Sequence, residues 1–131
     1  MVKKVVTILI VFALMVGAMI GEIVYVNKFY NSVQADLQVI AESIDKNEEH
    51  VKNPETVELC ERLEQKWEKG KKFLLTLQNH NTVRNFDDKI VSLSAVVKSD
   101  NYNDAVIFVR SAINYIDDVL LDSIPYLSNI F

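Results

Sequence analysis

Apolar residues follow two different patterns along the chain. From Val5 to Gly21 the sequence carries no charge and a single hydroxyl, Thr7, and Lys3 and Lys4 stand directly before the run. At about 1.5 Å per helical residue this run is about 26 Å long, and Ile23, Val24, Tyr25 and Val26 extend it towards the ~30 Å of a hydrocarbon core. Glu22 then lies at the outer interface, where a carboxylate still reaches water. Beyond it, apolar positions recur at intervals of three and four, the signature of amphipathic helix. Val26, Phe29, Val33, Leu37, Ile40 and Ile44 predict the first such helix. Asn53-Pro54-Glu55 supplies a cap, a proline at the first helical position and an acid in the first turn, opening a second. Its stripe is Leu59, Leu63, Trp67, Leu74 and Leu77, with Cys60 and Phe73 at the edge. Gly70 interrupts it, which implies a kink or a close helix contact.

Asn79 to Thr82 reads as a turn capped by Asn81 or Thr82, followed by a third stripe of Val83, Phe86, Ile90, Leu93 and Val97. A fourth helix opens near Asn103-Asp104, carries Ala105, Phe108, Val109, Ala112, Ile113, Ile116 and Leu120, and stops near Pro125, whose ring blocks regular helix. The expected fold is therefore all-α: an N-terminal transmembrane helix continuing into an antiparallel up-down-up-down four-helix bundle. The transmembrane signal anchor takes residues 1–26 and an extracytoplasmic helical bundle residues 27–131, with helices at about 22–46, 54–78, 82–98 and 103–123. Trp67, Leu63, Leu37, Phe86, Phe108 and Ile116 are expected to meet in one interior.

The apolar N-terminus reads as an uncleaved anchor or as a cleaved secretory signal. The anchor is favoured because Val16-Gly17-Ala18 is a poor small-x-small site and the apolar pattern runs on past it. Lys3 and Lys4 before the span, against Lys28 alone after it, place the N-terminus in the cytoplasm by the positive-inside tendency. Ala13, Gly17 and Gly21 recur every four residues, so they share a face on which a second membrane helix can approach closely.

Composition narrows the function classes. With 3 Gly and 2 Pro the chain lacks the punctuation of an all-β fold, and its 1 Cys excludes an internal disulfide framework. A net charge of −4 argues against nucleic acid as a partner. His50 and His80 fall in turns, with no second His or Cys at the spacing of a metal face, so no metal and no cofactor is expected. Cys60 reads as a small buried hydrophobe, with an intermolecular disulfide as the alternative. Asp100-Asn101-Tyr102-Asn103-Asp104 imitates a calcium loop, but Ala105 stands where glycine is needed, and helix capping is the better reading. The pairs Asp87/Asp88 and Asp117/Asp118, with Asp122, have no Arg or His partners for acid–base work. Lys66, Lys69, Lys71 and Lys72 are suited to anionic headgroups or cell-wall polymer, although Glu64 and Glu68 dilute them and a salt-bridged face is the simpler reading. No catalytic motif is present, so an enzyme is not expected. The apolar C-terminal residues Tyr126, Leu127, Ile130 and Phe131 are candidates for contact with a partner or the membrane.

The Lys-led anchor, the Trp67 helix with Lys66 and Lys69, the Asn101-Tyr102-Asn103-Asp104 turn and the ending Leu127-Ser128-Asn129-Ile130-Phe131 resemble an uncharacterised bacterial family of small, single-pass, helical envelope proteins, classed as domains of unknown function. The resemblance implies a Gram-positive-type, spore-forming host and an association with a multi-pass membrane protein, and it carries no functional residues. The expectation is thus a non-enzymatic accessory protein of the cell envelope. It contacts the bilayer through residues 5–26 and partners a multi-pass membrane protein or another copy of itself. The alternative is a sensor-like bundle holding a small ligand between its helices.

Overall fold

The computed structural model describes residues 1–123, the last two by their backbone alone. Four helices follow one another: α1 (Val2–Lys46), α2 (Pro54–Leu77), α3 (His80–Lys98) and α4 (Tyr102–Ser123). Each packs on its sequence neighbours, and α4 closes the ring against α1. This is the up-down-up-down bundle expected from the short connections.

Apart from Ser43 and Ser94, each beside a core residue, the buried helix positions alternate strictly by three and four. They are Val26, Tyr30, Val33, Leu37, Ile40 and Ile44 on α1, and Thr56, Cys60, Leu63, Trp67, Gly70 and Leu74 on α2. On α3 they are Val83, Phe86, Ile90, Leu93 and Val97, and on α4 Ala105, Val109, Ala112, Ile116 and Val119. That is the seven-residue repeat of knobs-into-holes packing, carried by all four helices at once. It shifts several expected positions. Tyr30 is buried in place of Phe29, Cys60 and not Leu59 lies at the centre of its face, Val119 is buried in place of Leu120, and Phe108 and Ile113 are half-buried beside the buried Val109 and Ala112 that were expected with them. Phe73 is exposed. In each case the more apolar residue lies one step off the repeat, and the phase set by the whole helix wins.

The ends of the helices show why they stop where they do. Asn53 caps α2 by accepting the Thr56 N–H at 2.9 Å. α3 begins earlier than expected, at His80, because Asn79 accepts the Asn81 N–H at 2.8 Å and so does the capping assigned to Asn81 or Thr82. Asn101 accepts the Asp104 N–H at 3.1 Å and opens α4 at Tyr102, one residue before the expected start. The neighbouring Asp100 adopts a left-handed φ of 56° and accepts the Lys52 N–H at 2.9 Å, tying the 99–101 turn to the 47–53 loop. Val51, in a loop that reads as polar, is fully buried and plugs that end of the bundle.

α1 has two regimes without a break. From Met1 to Tyr25 nearly every side chain is exposed, and Val26 is the first buried residue. The helix then supplies one wall of the core.

Candidate functional site

The bundle interior is built around an aromatic layer. Trp67, 1 % exposed, meets Phe86 edge-on with ring centroids 4.7 Å apart, and Tyr30 approaches the same Phe86 ring at 5.9 Å. Phe86 stacks in turn on Tyr115. Polar atoms within this layer have partners. Trp67 Nε1 donates to Asp87 Oδ1 at 2.8 Å, Tyr30 donates its hydroxyl to Gln78 at 2.8 Å, and Tyr115 donates to the Thr82 carbonyl at 3.0 Å. Burial holds the Tyr30 phenol well above its ordinary pKa.

Phe29, displaced from the core, packs beside Gly70. A Cβ on Gly70 would overlap the outer edge of the Phe29 ring. α2 runs unbroken through Gly70, so the glycine serves a close helix contact and not a kink.

The lysine run separates into two pairs. Lys66 bonds Ser32 and forms an ion pair with Asp36 at 2.8 Å. Lys71 bridges Glu68 at 2.8 Å and Asp87 at 3.1 Å, and the hydrogen bond to Glu68, then that to Asp87, raises its pKa. Lys69 and Lys72 are exposed and make no ion pair or hydrogen bond among the described residues.

The other candidates can be placed one by one. Cys60 is 2 % exposed, and burial pushes its thiol up to about 12, which keeps it neutral and away from solvent. Asp87 is occupied by Trp67 and Lys71, and Gln34 donates to Asp117 at 2.8 Å. His50 lies 3.7 Å from Asp100, and the Lys52 N–H, then His50, holds that carboxyl below its usual range. Among the described residues no three His, Cys, Asp or Glu side chains converge as a metal site would require. Ala13, Gly17 and Gly21 are exposed, and nothing lies within 4 Å of a Cβ built on either glycine. Tyr126, Leu127, Ile130 and Phe131 lie outside the described residues.

At the end of the bundle where α1 leaves it, a cleft of about 360 Å³ opens between Glu22, Ile23, Leu77, Gln78, Thr82 and Val119. The turn between α2 and α3 is therefore level with Glu22. This is the boundary between the exposed apolar stretch and the packed domain, the stretch of α1 that the sequence assigned both to the span and to the first amphipathic helix.

These features define a class: an antiparallel four-helix bundle whose first helix extends beyond the core as an exposed rod long and apolar enough to cross a membrane. Residues 21–130 match the family described as Domain of unknown function (DUF4363), and the chain belongs to that family. No curated protein and no solved structure matches it.

Proposed function

We propose that this chain is a membrane-anchored, non-enzymatic interaction protein of the bacterial cell envelope. In this reading α1 crosses the bilayer with residues 1–4 in the cytoplasm and the bundle outside. The protein acts by binding a multi-pass membrane protein or a second copy of itself. One observation carries the reading: a single unbroken helix is apolar and exposed on every side from Val5 to Gly21 and core-forming from Val26. Such a rod in water would be an apolar patch far larger than soluble proteins tolerate, so lipid or another membrane helix must cover it. The interior of the bundle favours binding over ligand sensing, because Trp67, Phe86 and Tyr30 fill the space that a small ligand would need.

The small-residue face gives the test. A photo-crosslinking residue placed at Gly17 in cells should form an adduct of one discrete mass, and the same probe at Met15, on the opposite side of the helix, should not. Equal adducts from both positions, or none from either, would contradict a specific partner on that face.

A further inference from the structure

Resting on the membrane-anchored reading, we infer that the α1–α2 side of the bundle's base is a docking surface for anionic phospholipid headgroups, on which the bundle leans. Four observations converge on it. The first is height. The Tyr25 and Phe73 rings meet edge-on at 4.7 Å, so Phe73 of α2 is level with a residue only three positions above Glu22. At about 1.5 Å per residue that is about 4.5 Å above the hydrocarbon edge, inside the ~5–7 Å headgroup layer. The second is the chemistry of that level. Phe73 is 49 % and Tyr25 38 % exposed, an arrangement poor in water and suited to the interface, where aromatic rings concentrate.

The third observation is the supply of free cations around these rings. Lys72 adjoins Phe73, Lys69 lies one turn earlier on α2, and Lys28 lies one turn beyond Tyr25 on α1; all three are exposed. The structure neutralises Lys66 and Lys71 with carboxylates and leaves Lys69 and Lys72 without an acidic partner among the described residues. The free lysines lie within about 10 Å of the headgroup layer, the reach of an unscreened charge at moderate salt. The fourth is asymmetry. α4, which packs on α1 and α3 and lies diagonal to α2, presents the exposed Asp117 and Asp118, Asp117 on its α1 side against Gln34. An anionic surface attracts one side and repels the other, so the bundle tilts with α2 downwards. The uncharged length of the span sets depth, and this surface sets orientation.

The test uses the full chain with Cys60→Ala, reconstituted in vesicles of phosphatidylcholine with and without phosphatidylglycerol, with a trace of headgroup spin-labelled lipid as quencher. A bimane fluorophore is attached to Cys at Thr76→Cys on α2 or, in a second sample, at Leu121→Cys on α4. Phosphatidylglycerol should increase quenching at position 76 and decrease it at position 121. Lys69→Gln with Lys72→Gln should reverse both changes, as should salt at roughly 1 M, where the screening length falls to about 3 Å. Removing the two lysines should lower the preference for the leaning state about 25-fold, at about fivefold for each. Quenching at position 76 that ignores phosphatidylglycerol, or that survives the double substitution, would overturn the inference. The anchoring reading is judged separately, by flotation of the protein with neutral vesicles after alkaline extraction. Loss of flotation refutes both, whereas flotation without lipid-dependent quenching refutes only the docking surface.

Discussion

Replacing Gly70 by alanine sets two effects against each other, and the packing around Phe29 decides the sign. In an open helix the change would stabilise by about 1 kcal/mol, because glycine has more backbone freedom to lose. Here the new Cβ overlaps the outer edge of the Phe29 ring. That ring stacks against Trp67 at 6.0 Å and Tyr25 at 6.2 Å and meets Tyr30 at 6.2 Å, so it cannot retreat without parting from aromatic neighbours. Overpacking of this kind costs about 1–3 kcal/mol, and each aromatic pair that loosens adds about 0.5–1.5 kcal/mol. The net expectation is a loss of about 1–2 kcal/mol, or a melting point lower by about 4–8 °C for each kcal/mol. Thermal and urea unfolding of the full chain in mild detergent, followed by far-ultraviolet circular dichroism, measures it. Repeating Gly70→Ala in a Phe29→Ala background removes the obstacle, and there the substitution should stabilise by up to about 1 kcal/mol. A stabilising effect in the wild-type background, or the same sign in both, would refute the close-contact account.

Three further outcomes follow from the same core. Trp67→Ala should destabilise by about 3–5 kcal/mol. Trp67→Phe retains most of the volume but strips one donor from Asp87; its loss should be about 1.5 kcal/mol, the lower end for a bond to a charged group, because Lys71 remains. The Cys60 thiol should react with an aromatic disulfide reagent only at the rate of unfolding. Because burial raises its pKa from 9.0 to about 12, the folded chain keeps a proton that the unfolded chain releases, so stability falls as pH rises across that window; Cys60→Ala should remove this slope. Asp100 has the opposite sign: its lowered carboxyl pKa stabilises above the ordinary 3.8, and the contribution is lost as pH falls below it. Asp100→Asn keeps an acceptor for the Lys52 N–H and tolerates the left-handed φ, so it should remove the acid slope and leave the loop in place, as read by unfolding between pH 2 and pH 6.

Much of the architecture was legible because helical period, caps and prolines act locally. Asn53-Pro54-Glu55 opens α2 as expected, and the short connections force neighbouring helices to be antiparallel. The phase of the core was harder to read. Phe29, Leu59 and Phe108 are more apolar than Tyr30, Cys60 and Val109, yet only the latter keep the alternation of three and four that all four helices share. Tyr30 enters the core because Gln78, nearly fifty residues away, receives its hydroxyl, and no local signal records that partner. The lysine run shows the same limit. Lys66 and Lys71 look identical to Lys69 and Lys72 in sequence, and only the packing brings Asp36 and Asp87 to the first pair. The anchor stripe of Ala13, Gly17 and Gly21 gains no neighbour from the bundle.

The central claim is that α1 joins a bilayer-spanning segment to a bundle outside the cell, and thiol labelling in intact cells tests it most directly. With Cys60→Ala as background, single cysteines are introduced by Lys3→Cys or Asn101→Cys, exposed to a membrane-impermeant maleimide, and read by mass so that cleavage of the N-terminus would also show. The account expects labelling at position 101, protection at position 3 until the membrane is opened, and an uncleaved mass. Labelling at position 3 with protection at position 101 would contradict it.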